Sequence, residues 1–544
     1  MDTGSRPERF RTHDVGNQPP PFAPRDLWHD DRVLRESLER EGGGRLVEHV
    51  ARYGTLAGGR LLELSFDAHR DRPRLCTHDG SGRRVDRVAF HPSYHELMEA
   101  AVTHGVAGLS WRDGGPGAHV ARAALSYLHH QVEPGTSCPL TMTHAAVPVL
   151  RREPALAGWA ERAAAPHYDP REVPAMEKAG ITVGMGMTEK QGGSDVRANT
   201  TRATPDGTAW RLVGHKWFFS APMSDGFLVL AQATGGLTCF LVPRLLEDGS
   251  RNAFHLQRLK DKVGDWSNAS SEVEFQGALA WRVGDEARGV ATILEMVMLT
   301  RLDCMLGAAA QMRMGLAQAL HHCRHRSAFG RLLVEQPLMR NVLADLAIES
   351  EAATVLAMRI ARAVDAAPRD PAEAALARIA TATGKYWLCR RAPAFVNEAQ
   401  ECLGGNGYVE ESLLARLYRQ APLNSIWEGS GNVQCLDVLR ALAKEPATAD
   451  ALLAEIGAAR GLHPALGRVA DALPHRLAGA DEAGARRLVE LLALALQASL
   501  LLRCGSPAAD AFCRSRLDGE HGLAMGTLPD GLPLEELLAR ALPD

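Results

Sequence analysis

The sequence lacks the patterns that mark several common classes of protein. Its ten cysteines are dispersed and form no C-x-x-C pair, which argues against a disulfide framework or a zinc ribbon and predicts buried free thiols. No apolar run reaches about 18 residues, the length of a membrane span. Residues 1–25 are polar and lack the apolar core of a secretory signal. We therefore expect a protein of the cytoplasm that does not enter a membrane.

Nicotinamide, nucleic-acid and metal signals are also weak. No G-x-G-x-x-G follows a strand pattern, which argues against a nicotinamide-binding Rossmann unit. The formal net charge of -4 gives no overall attraction to nucleic acid. His321, His322 and His325 lie within two helical turns, but no acidic third ligand recurs nearby. We expect no metal site, and any nucleic-acid partner requires a local basic patch.

Hydrophobic periodicity changes twice along the chain. A length of 544 residues exceeds what one hydrophobic core supports. Helical spacing prevails at first, short β-type runs follow from about residue 181, and helical spacing returns after residue 288. The pattern predicts a mainly α fold with a central β-domain. The four parts are an N-terminal arm and helical domain (1–180), the β-domain (181–290), a C-terminal helical bundle (291–445) and an additional C-terminal helical region (446–544).

Individual elements follow from the same patterns. The predicted long helices cover residues 291–326, 336–366 and 371–403, and the N-terminal helices include 94–104 and 118–131. The segment R-R-V-D-R-V-A-F-H-P-S-Y-H-E-L-M, residues 83–98, is also interpreted as a helix. The predicted strands cover 210–219, 227–232, 237–242 and 272–275.

The most informative segment is the loop M-T-E-K-Q-G-G-S-D at residues 187–195. Its adjacent glycines, Gly192 and Gly193, let backbone approach a ligand closely because no Cβ intervenes. Thr188 and Ser194 can donate hydrogen bonds to anionic or carbonyl oxygens. The loop alone is equally compatible with an ordinary hairpin that binds nothing.

The strand motif G-H-K-W-F-F-S, residues 214–220, follows this loop. Side chains alternate along a strand, so Phe218 and Ser220 point to the same side. They offer an aromatic wall and a hydroxyl to whatever the loop holds.

Three further motifs follow in the C-terminal half. The first is R-x-x-F-G at 326–330, with Gln336 and Ala344-Asp345 after it. The second is L-G-G-x-G-Y at 403–408, where glycines permit left-handed backbone at a helix end. The third is I-W-E-G-S-G-N at 426–432. Each alone has an ordinary structural interpretation, such as a solvated arginine or a helix N-terminal acid.

Taken in order, these motifs resemble those of the acyl-CoA dehydrogenase family of flavoproteins. The resemblance implies an FAD site in which the 187–195 loop and the 218–220 strand line the isoalloxazine, while Arg326 and Phe329 reach an FAD bound mainly by the neighbouring subunit. The residues that it assigns to the cofactor are Met185, Met187, Thr188, Gln191, Gly192, Gly193, Ser194, Phe218, Phe219, Ser220, Arg326, Phe329, Gln336, Gly404, Gly405, Ile426, Trp427, Gly429, Ser430 and Asn432.

The resemblance also implies one catalytic residue, Glu428. In the family, the glutamate of this motif removes the α-proton of an acyl thioester while the β-hydrogen leaves as hydride to the flavin. A carboxylate suits this role where apolar walls such as Trp427 raise its pKa.

Longer strings resemble the AidB-type flavoproteins of the adaptive response to DNA alkylation. They include G-M-G-M-T-E-K-Q-G-G-S-D-V at 184–196, R-L-V-G-H-K-W-F-F-S at 211–220 and N-S-I-W-E-G-S-G-N at 424–432. This branch implies a homotetramer, built as a dimer of dimers, with weak dehydrogenase activity. It also implies a double-stranded DNA surface on the C-terminal helices, and a role in destroying alkylating agents or shielding DNA.

The C-terminal region departs from a typical DNA surface in its charge. From Ala441 to Asp544 it has ten basic and fourteen acidic residues, whereas phosphate binding needs clustered positive charge. The candidate patch comprises Arg440, Lys444, Arg514 and Arg516, joined by Arg416 and Arg419.

Two alternatives remain open from sequence. One is a metabolic acyl-CoA dehydrogenase or oxidase that desaturates an acyl thioester with Glu428 as base. The other is a binding protein whose flavin is structural. In every case the small-molecule substrate is unassigned.

Overall fold

The N-terminal part comprises helices and one β-hairpin in the computed structural model, which describes residues 12–542. Residues 1–11 of the predicted arm and 543–544 lie outside the described residues. The helix α1 begins where the Asp31 carboxylate accepts a hydrogen bond from the backbone N–H of Leu34. The elements are α1 (Arg32–Arg40), α2 (Val47–Leu56), α3 (Leu62–Arg70), β1 (Arg74–His78), β2 (Arg84–Ala89), α4 (Pro92–Thr103), α5 (Leu109–Asp113), α6 (Ala118–Val132), α7 (Pro134–Arg151) and α8 (Ala157–Ala164).

The central β-domain is a sheet that closes on itself. Its order is β3-β6-β4-β5-β9-β7, with β8 paired to β9 and closure through a β6–β7 ladder. Antiparallel register pairs Trp210 with Ala280 and Ser220 with Ser270. The strands are β3 (Val183–Gly186), β4 (Arg202–Asp206), β5 (Ala209–Ser220), β6 (Gly226–Ala233), β7 (Gly236–Pro243), β8 (Phe254–Leu259) and β9 (Ser270–Val283).

Long helices return after the β-domain. The helix α9 is buried around most of its circumference because α6, α7, α10 and α11 pack on it. A short hairpin connects α9 to α10. Its strands, β10 (Ser327–Ala328) and β11 (Arg331–Leu332), have two residues each. The helices of this bundle are α9 (Gly289–His325), α10 (Pro337–Ala366), α11 (Pro371–Glu401), α12 (Leu413–Gln420) and α13 (Gly431–Lys444).

The last hundred residues pack on the bundle and share its hydrophobic core. Apolar side chains of α14 and α16 join the cluster formed by α10 and α11. The helices are α14 (Pro446–Gly457), α15 (Pro464–Ala478), α16 (Ala485–Arg503), α17 (Ala509–Phe512) and α18 (Leu534–Ala541).

The segment 83–98 corrects one prediction. Residues Arg84–Ala89 form a strand rather than the start of a helix, and the helix begins only at Pro92. The reason is a period-two pattern, in which Val88 joins the β-domain core while Arg87 and Ala89 point outward. Strands β3, β4 and β8 were also missed, because they are only four to six residues long.

The cysteines of the described residues form no disulfide bond. All ten cysteines are free, and eight are buried, whereas Cys76 is exposed and Cys504 is partly exposed. Within residues 12–542, no group of three or more His, Cys, Asp or Glu side chains could hold a metal ion. No described helix is long and apolar enough to cross a membrane.

Candidate functional site

The 187–195 loop lies directly on strand β5. The backbone N–H of Trp217 donates to the Thr188 carbonyl at 2.8 Å, and the backbone N–H of Lys190 donates to His215 Nε2 at 3.0 Å. A Cβ at Gly193 would lie 2.3 Å from Thr188 Oγ1, so only glycine permits this fold of the loop. The first two sequence motifs therefore form one structural unit.

A buried ion pair links the loop to strand β5. Lys216 Nζ lies 2.8 Å from Glu189 Oε1, and both side chains are fully buried. Lys216 also donates to the Leu230 carbonyl at 2.8 Å, while Glu189 accepts from the backbone N–H groups of Thr200 and Thr201. Burial opposes ionisation of Glu189, but the charge of Lys216 and these hydrogen bonds hold its pKa below the ordinary value. Sequence reasoning missed this pair because both residues are polar and look solvent-exposed.

The last three residues of β5, Phe218, Phe219 and Ser220, point to alternate faces of the strand. Phe218 is 54% exposed, whereas Phe219 is fully buried, with its ring 4.4 Å from that of Phe227 in the β-domain core. The Phe219 ring therefore cannot form part of the predicted cofactor wall. Ser220 is partly buried, with Oγ 3.4 Å from Ser270 Oγ.

Other residues of the first motif serve the loop itself or its support. Gln191 Nε2 donates to Glu189 Oε2 at 2.8 Å and to the Ala198 carbonyl at 3.1 Å. Met185 and Met187 pack against the apolar cluster between α7 and the sheet. Trp427 packs on the same cluster, which brings the 426–432 motif close to the 187–195 loop.

The turn at Glu428 is tightly held. Glu428 itself has a φ of +57°, a left-handed conformation that a non-glycine residue adopts only when its surroundings enforce it. Lys385 Nζ donates to the carbonyls of Trp427 at 2.7 Å and Gly429 at 2.5 Å. Arg301 Nε and Gln434 Nε2 donate to the Glu428 carbonyl at 3.1 and 3.0 Å. Three buried side chains thus fix where the carboxyl group points.

The Glu428 carboxyl group has the environment of a general base. Its Oε2 accepts a hydrogen bond from Thr300 Oγ1 at 2.6 Å. Burial raises the pKa of Glu428, although the Thr300 hydrogen bond and the charges of Lys385 and Arg301 lower it in part. A carboxylate of raised pKa is a stronger base than a solvated one.

Cys138 is a buried thiol whose pKa responds to both Glu428 and the end of β5. Burial raises the pKa of its thiol to about 12, a hydrogen bond with Ser220 lowers it, and the charge of Glu428 raises it. Ser220 and Glu428 therefore both influence the pKa of one buried thiol, although they are far apart in sequence. No motif in the sequence pointed to Cys138.

The R-x-x-F-G motif forms the hairpin β10–β11 on the surface. Phe329 and Gly330 occupy its tip with φ of +52° and +79°, and the Phe329 ring is fully exposed. Arg326 Nη1 donates to the Asn17 carbonyl at 2.6 Å, and Gln336 Nε2 donates to the Ala328 carbonyl at 3.0 Å. The arm and the start of α10 thus support an exposed aromatic ring.

The glycine turn after α11 leaves space beside its backbone. Gly404 has a φ of +58°, and no described atom lies within 4 Å of a Cβ built on Gly404 or Gly405. In the 426–432 motif, Ile426 is largely exposed, Ser430 is partly buried, and Asn432 Oδ1 accepts a hydrogen bond from Arg486 Nε at 2.8 Å. Open backbone and exposed apolar groups suit contact with a second molecule.

The predicted basic patch is not assembled as expected. Arg516 is buried in ion pairs with Asp345 and Glu349, and Arg416 is buried and donates to the Ser65 hydroxyl. Arg514 pairs with an acidic neighbour, Glu520, at 2.7 Å. Only Arg516 is paired through packing of the C-terminal region on the bundle, whereas Arg514 pairs within that region and Arg416 is bound by the N-terminal part. Exposed positive charge remains at the end of α13, on Arg440 and Lys444.

Comparison with protein-family models matches three successive parts of the chain. Residues 17–170 match the adaptive response protein AidB N-terminal domain, residues 184–278 the acyl-CoA dehydrogenase middle domain, and residues 287–443 the acyl-CoA dehydrogenase C-terminal domain. These bounds follow the helical, β and helical parts of the structure.

Individual relatives extend the match over nearly the whole chain. The chain is 47% identical to AidB of Escherichia coli (strain K12) over 523 residues, which covers 95% of this chain and 96% of AidB. It is 31% identical to acyl-CoA dehydrogenase family member 11 of Caenorhabditis elegans, covering 75% of this chain and 69% of that one.

Among solved structures, Caenorhabditis elegans ACDH-11 in complex with C11-CoA superposes with a TM-score of 0.85 at 26% identity, covering 95% of both chains. Butyryl-CoA dehydrogenase from Megasphaera elsdenii shares the fold, with a TM-score of 0.54 at 22% identity over 71% of this chain and 97% of that one. The chain therefore belongs to the acyl-CoA dehydrogenase family, in its AidB-type branch.

Proposed function

We propose that this protein binds FAD and oxidises an acyl thioester, with Glu428 as the base that takes the α-proton. The observation that carries this proposal is the Glu428 turn, where three buried donors fix a carboxyl group of raised pKa. A carboxylate held in this way is organised for proton abstraction before any substrate arrives. Anaerobic bleaching of the reconstituted flavin by a panel of acyl-CoA thioesters tests the proposal.

The residues present fit an FAD group. Thr188 and Ser194 supply hydroxyl donors beside the open backbone of Gly192, and Phe218 offers an exposed ring. The Gly404-Gly405 turn has room for a close approach. When bound, FAD accepts the hydride that leaves the β-carbon of the thioester.

Side chains around Glu428 position its carboxyl group for proton transfer. Thr300 donates to one carboxylate oxygen, which leaves the other available to the α-hydrogen. Behind the turn, Asp437 balances Arg301 at 2.7 Å and Arg378 at 3.0 Å. Arg301 therefore holds the Glu428 carbonyl through Nε while its Nη1 pairs with Asp437.

The acid limb of the pH–rate profile for flavin reduction should shift when the Thr300 hydrogen bond to Glu428 is removed. Glu428 acts as a base only when ionised, so flavin reduction should fall as pH drops through its raised pKa. In Thr300→Val the loss of the donor raises this pKa further, and the acid limb should shift to higher pH. Rates of anaerobic flavin reduction across pH measure it, and Thr292→Val, on the same helix, is the control. An unshifted limb would show that Glu428 is not the group that titrates.

We also propose that the chain forms a homotetramer, a dimer of dimers that shares its flavin sites. Phe218, Phe329 and Tyr408 are exposed in the single chain although each belongs to a cofactor motif. Apolar rings in such motifs are normally covered in the working assembly. Sedimentation of the FAD-loaded protein gives the mass that tests this proposal.

The second proposed role is in the adaptive response to DNA alkylation, in the cytoplasm, where the protein associates with double-stranded DNA and protects it or destroys alkylating agents. Its support is the 47% identity to AidB over nearly the full length and the match of residues 17–170. Exposed charge at Arg440 and Lys444 gives the DNA surface its strongest candidates, since Arg516 is buried.

Duplex DNA should be retarded at low salt and released as salt rises, because phosphate contacts release counterions. Arg440→Ala combined with Lys444→Ala should weaken retardation and flatten the salt dependence, whereas Arg282→Ala in the β-domain should not. Gel retardation over a salt series measures both. If the double variant and the parent protein bind DNA equally well, this surface does not bind DNA.

A further inference from the structure

A second cavity, of about 350 Å³, lies between the N-terminal helices and the β-domain. Its wall combines side chains of α4 with the chain that follows β5 and with Arg244 after β7. Its residues are different from those of the five flavin motifs. Cavities of about 300 to 1,000 Å³ are typical of small-molecule sites.

One side of this cavity is apolar. Phe90 and Tyr94 stack with ring centroids 4.0 Å apart, and Met98, Met223 and Pro139 complete the lining on this side. Flexible methionines and flat rings accommodate an aliphatic or aromatic body.

The other side carries buried hydrogen-bond donors that have no acceptor. Arg244 is 4% exposed and Ser224 is 3% exposed. In the part of the chain that the structure describes, Arg244 Nε, Arg244 Nη1 and Ser224 Oγ have no hydrogen-bond partner. An unsatisfied buried polar group is costly, and a guanidinium more so than a neutral one. A ligand that accepts hydrogen bonds here would remove this cost.

The local charge indicates an anion. Glu172 is shared by three arginines: Arg87 at 2.8 Å, Arg251 at 3.1 Å and Arg244 at 3.9 Å. The last distance is too long for a hydrogen bond. This group of four side chains therefore has an excess of two positive charges.

The other titratable groups of the wall do not cancel this excess. Asp225 pairs with Lys178 at 2.7 Å, and Asp169 pairs with Arg171 at 2.6 Å. His95 Nδ1 is hydrogen-bonded to the Tyr168 hydroxyl at 2.8 Å. Burial lowers the pKa of the Arg244 guanidinium, and a bound anion would favour its charged form.

We propose that this cavity binds a small carboxylic acid with an aliphatic or aromatic body. Its carboxylate accepts hydrogen bonds from Arg244 and Ser224, and its body packs between Tyr94, Met98 and Met223. Guanidinium groups match the carboxylate in geometry, and a buried charged hydrogen bond is strong. This site is additional to the proposed flavin chemistry and does not depend on it.

Calorimetric titration of the full-length, FAD-loaded protein with octanoate and 3-phenylpropanoate tests the proposal. The neutral amides of both acids are the matched ligands. Each acid should bind at least about tenfold tighter than its amide, since the charged hydrogen bonds are lost in the amide. Arg244→Met should abolish this preference. Arg251→Met also removes one positive charge near Glu172, but Arg251 lies outside the cavity wall. This variant should therefore keep the preference for the acid.

A second variant keeps every polar group and fills the space instead. Met98→Trp should abolish binding of both acids while flavin content stays unchanged. The proposal is overturned if neither acid binds, if acid and amide bind equally, if Arg251→Met matches Arg244→Met, or if Met98→Trp still binds. Should Arg244→Met fail to fold, Ser224→Ala and Met98→Trp decide the result.

Discussion

Replacing Glu428 by glutamine should reduce the rate of flavin bleaching by acyl-CoA about 10²- to 10⁴-fold, the usual contribution of a positioned base. The backbone of the turn should stay in place, because Lys385, Arg301 and Gln434 bind carbonyl groups that the substitution leaves intact. A glutamine can also accept the Thr300 hydrogen bond. Stopped-flow absorbance of the anaerobic, FAD-loaded variant measures the rate.

Glu445→Gln is the matched control, since it removes a carboxylate at the exposed end of α13. It should bleach at the parent rate. If Glu428→Gln also bleaches at that rate, the base is another group and the proposed mechanism is wrong. If the parent protein binds FAD but no thioester bleaches it, a structural flavin becomes the better explanation.

Removing Lys216 should have the largest effect on stability. In Lys216→Met the Glu189 carboxylate keeps its burial and loses its cation, a change that costs about 3–5 kcal/mol at buried ion pairs. Because Glu189 holds the 187–195 loop on β5, the variant should also lose FAD. Urea denaturation and flavin content after gel filtration measure the two effects.

An ion pair with an exposed arginine on the same sheet supplies the control. Arg258→Met breaks the pair with Glu272, which retains Lys260 at 2.6 Å, and should cost less than about 1 kcal/mol. Adding Glu189→Gln to Lys216→Met removes the stranded charge and should recover part of the loss. If Lys216→Met alone is as stable as Arg258→Met, the buried pair does not hold the loop.

The long helices and the main strands were predictable because their apolar periodicity extends over many residues. The bounds of α10 and α11 agree with the predicted 336–366 and 371–403 within two residues. The hairpin β1–β2 was not predicted, because its short alternation lies next to a genuine helix and was interpreted as part of it. The predicted family is confirmed by the 47% identity to AidB over 95% of the chain and by the family models that match successive parts of it.

Sequence by itself determined the family, the order of helical and β parts, and Glu428 as the candidate base. These properties are encoded locally, in periodicity and in short motifs. Tertiary structure decided which side chains stand behind the motifs: Lys216 beneath the loop, and Thr300 and Lys385 around Glu428. It also buried the Arg516 side chain and the Phe219 ring, and left Nε and Nη1 of Arg244 without a hydrogen-bond partner. Burial and ion pairing depend on residues distant in the chain, so no local pattern could show them.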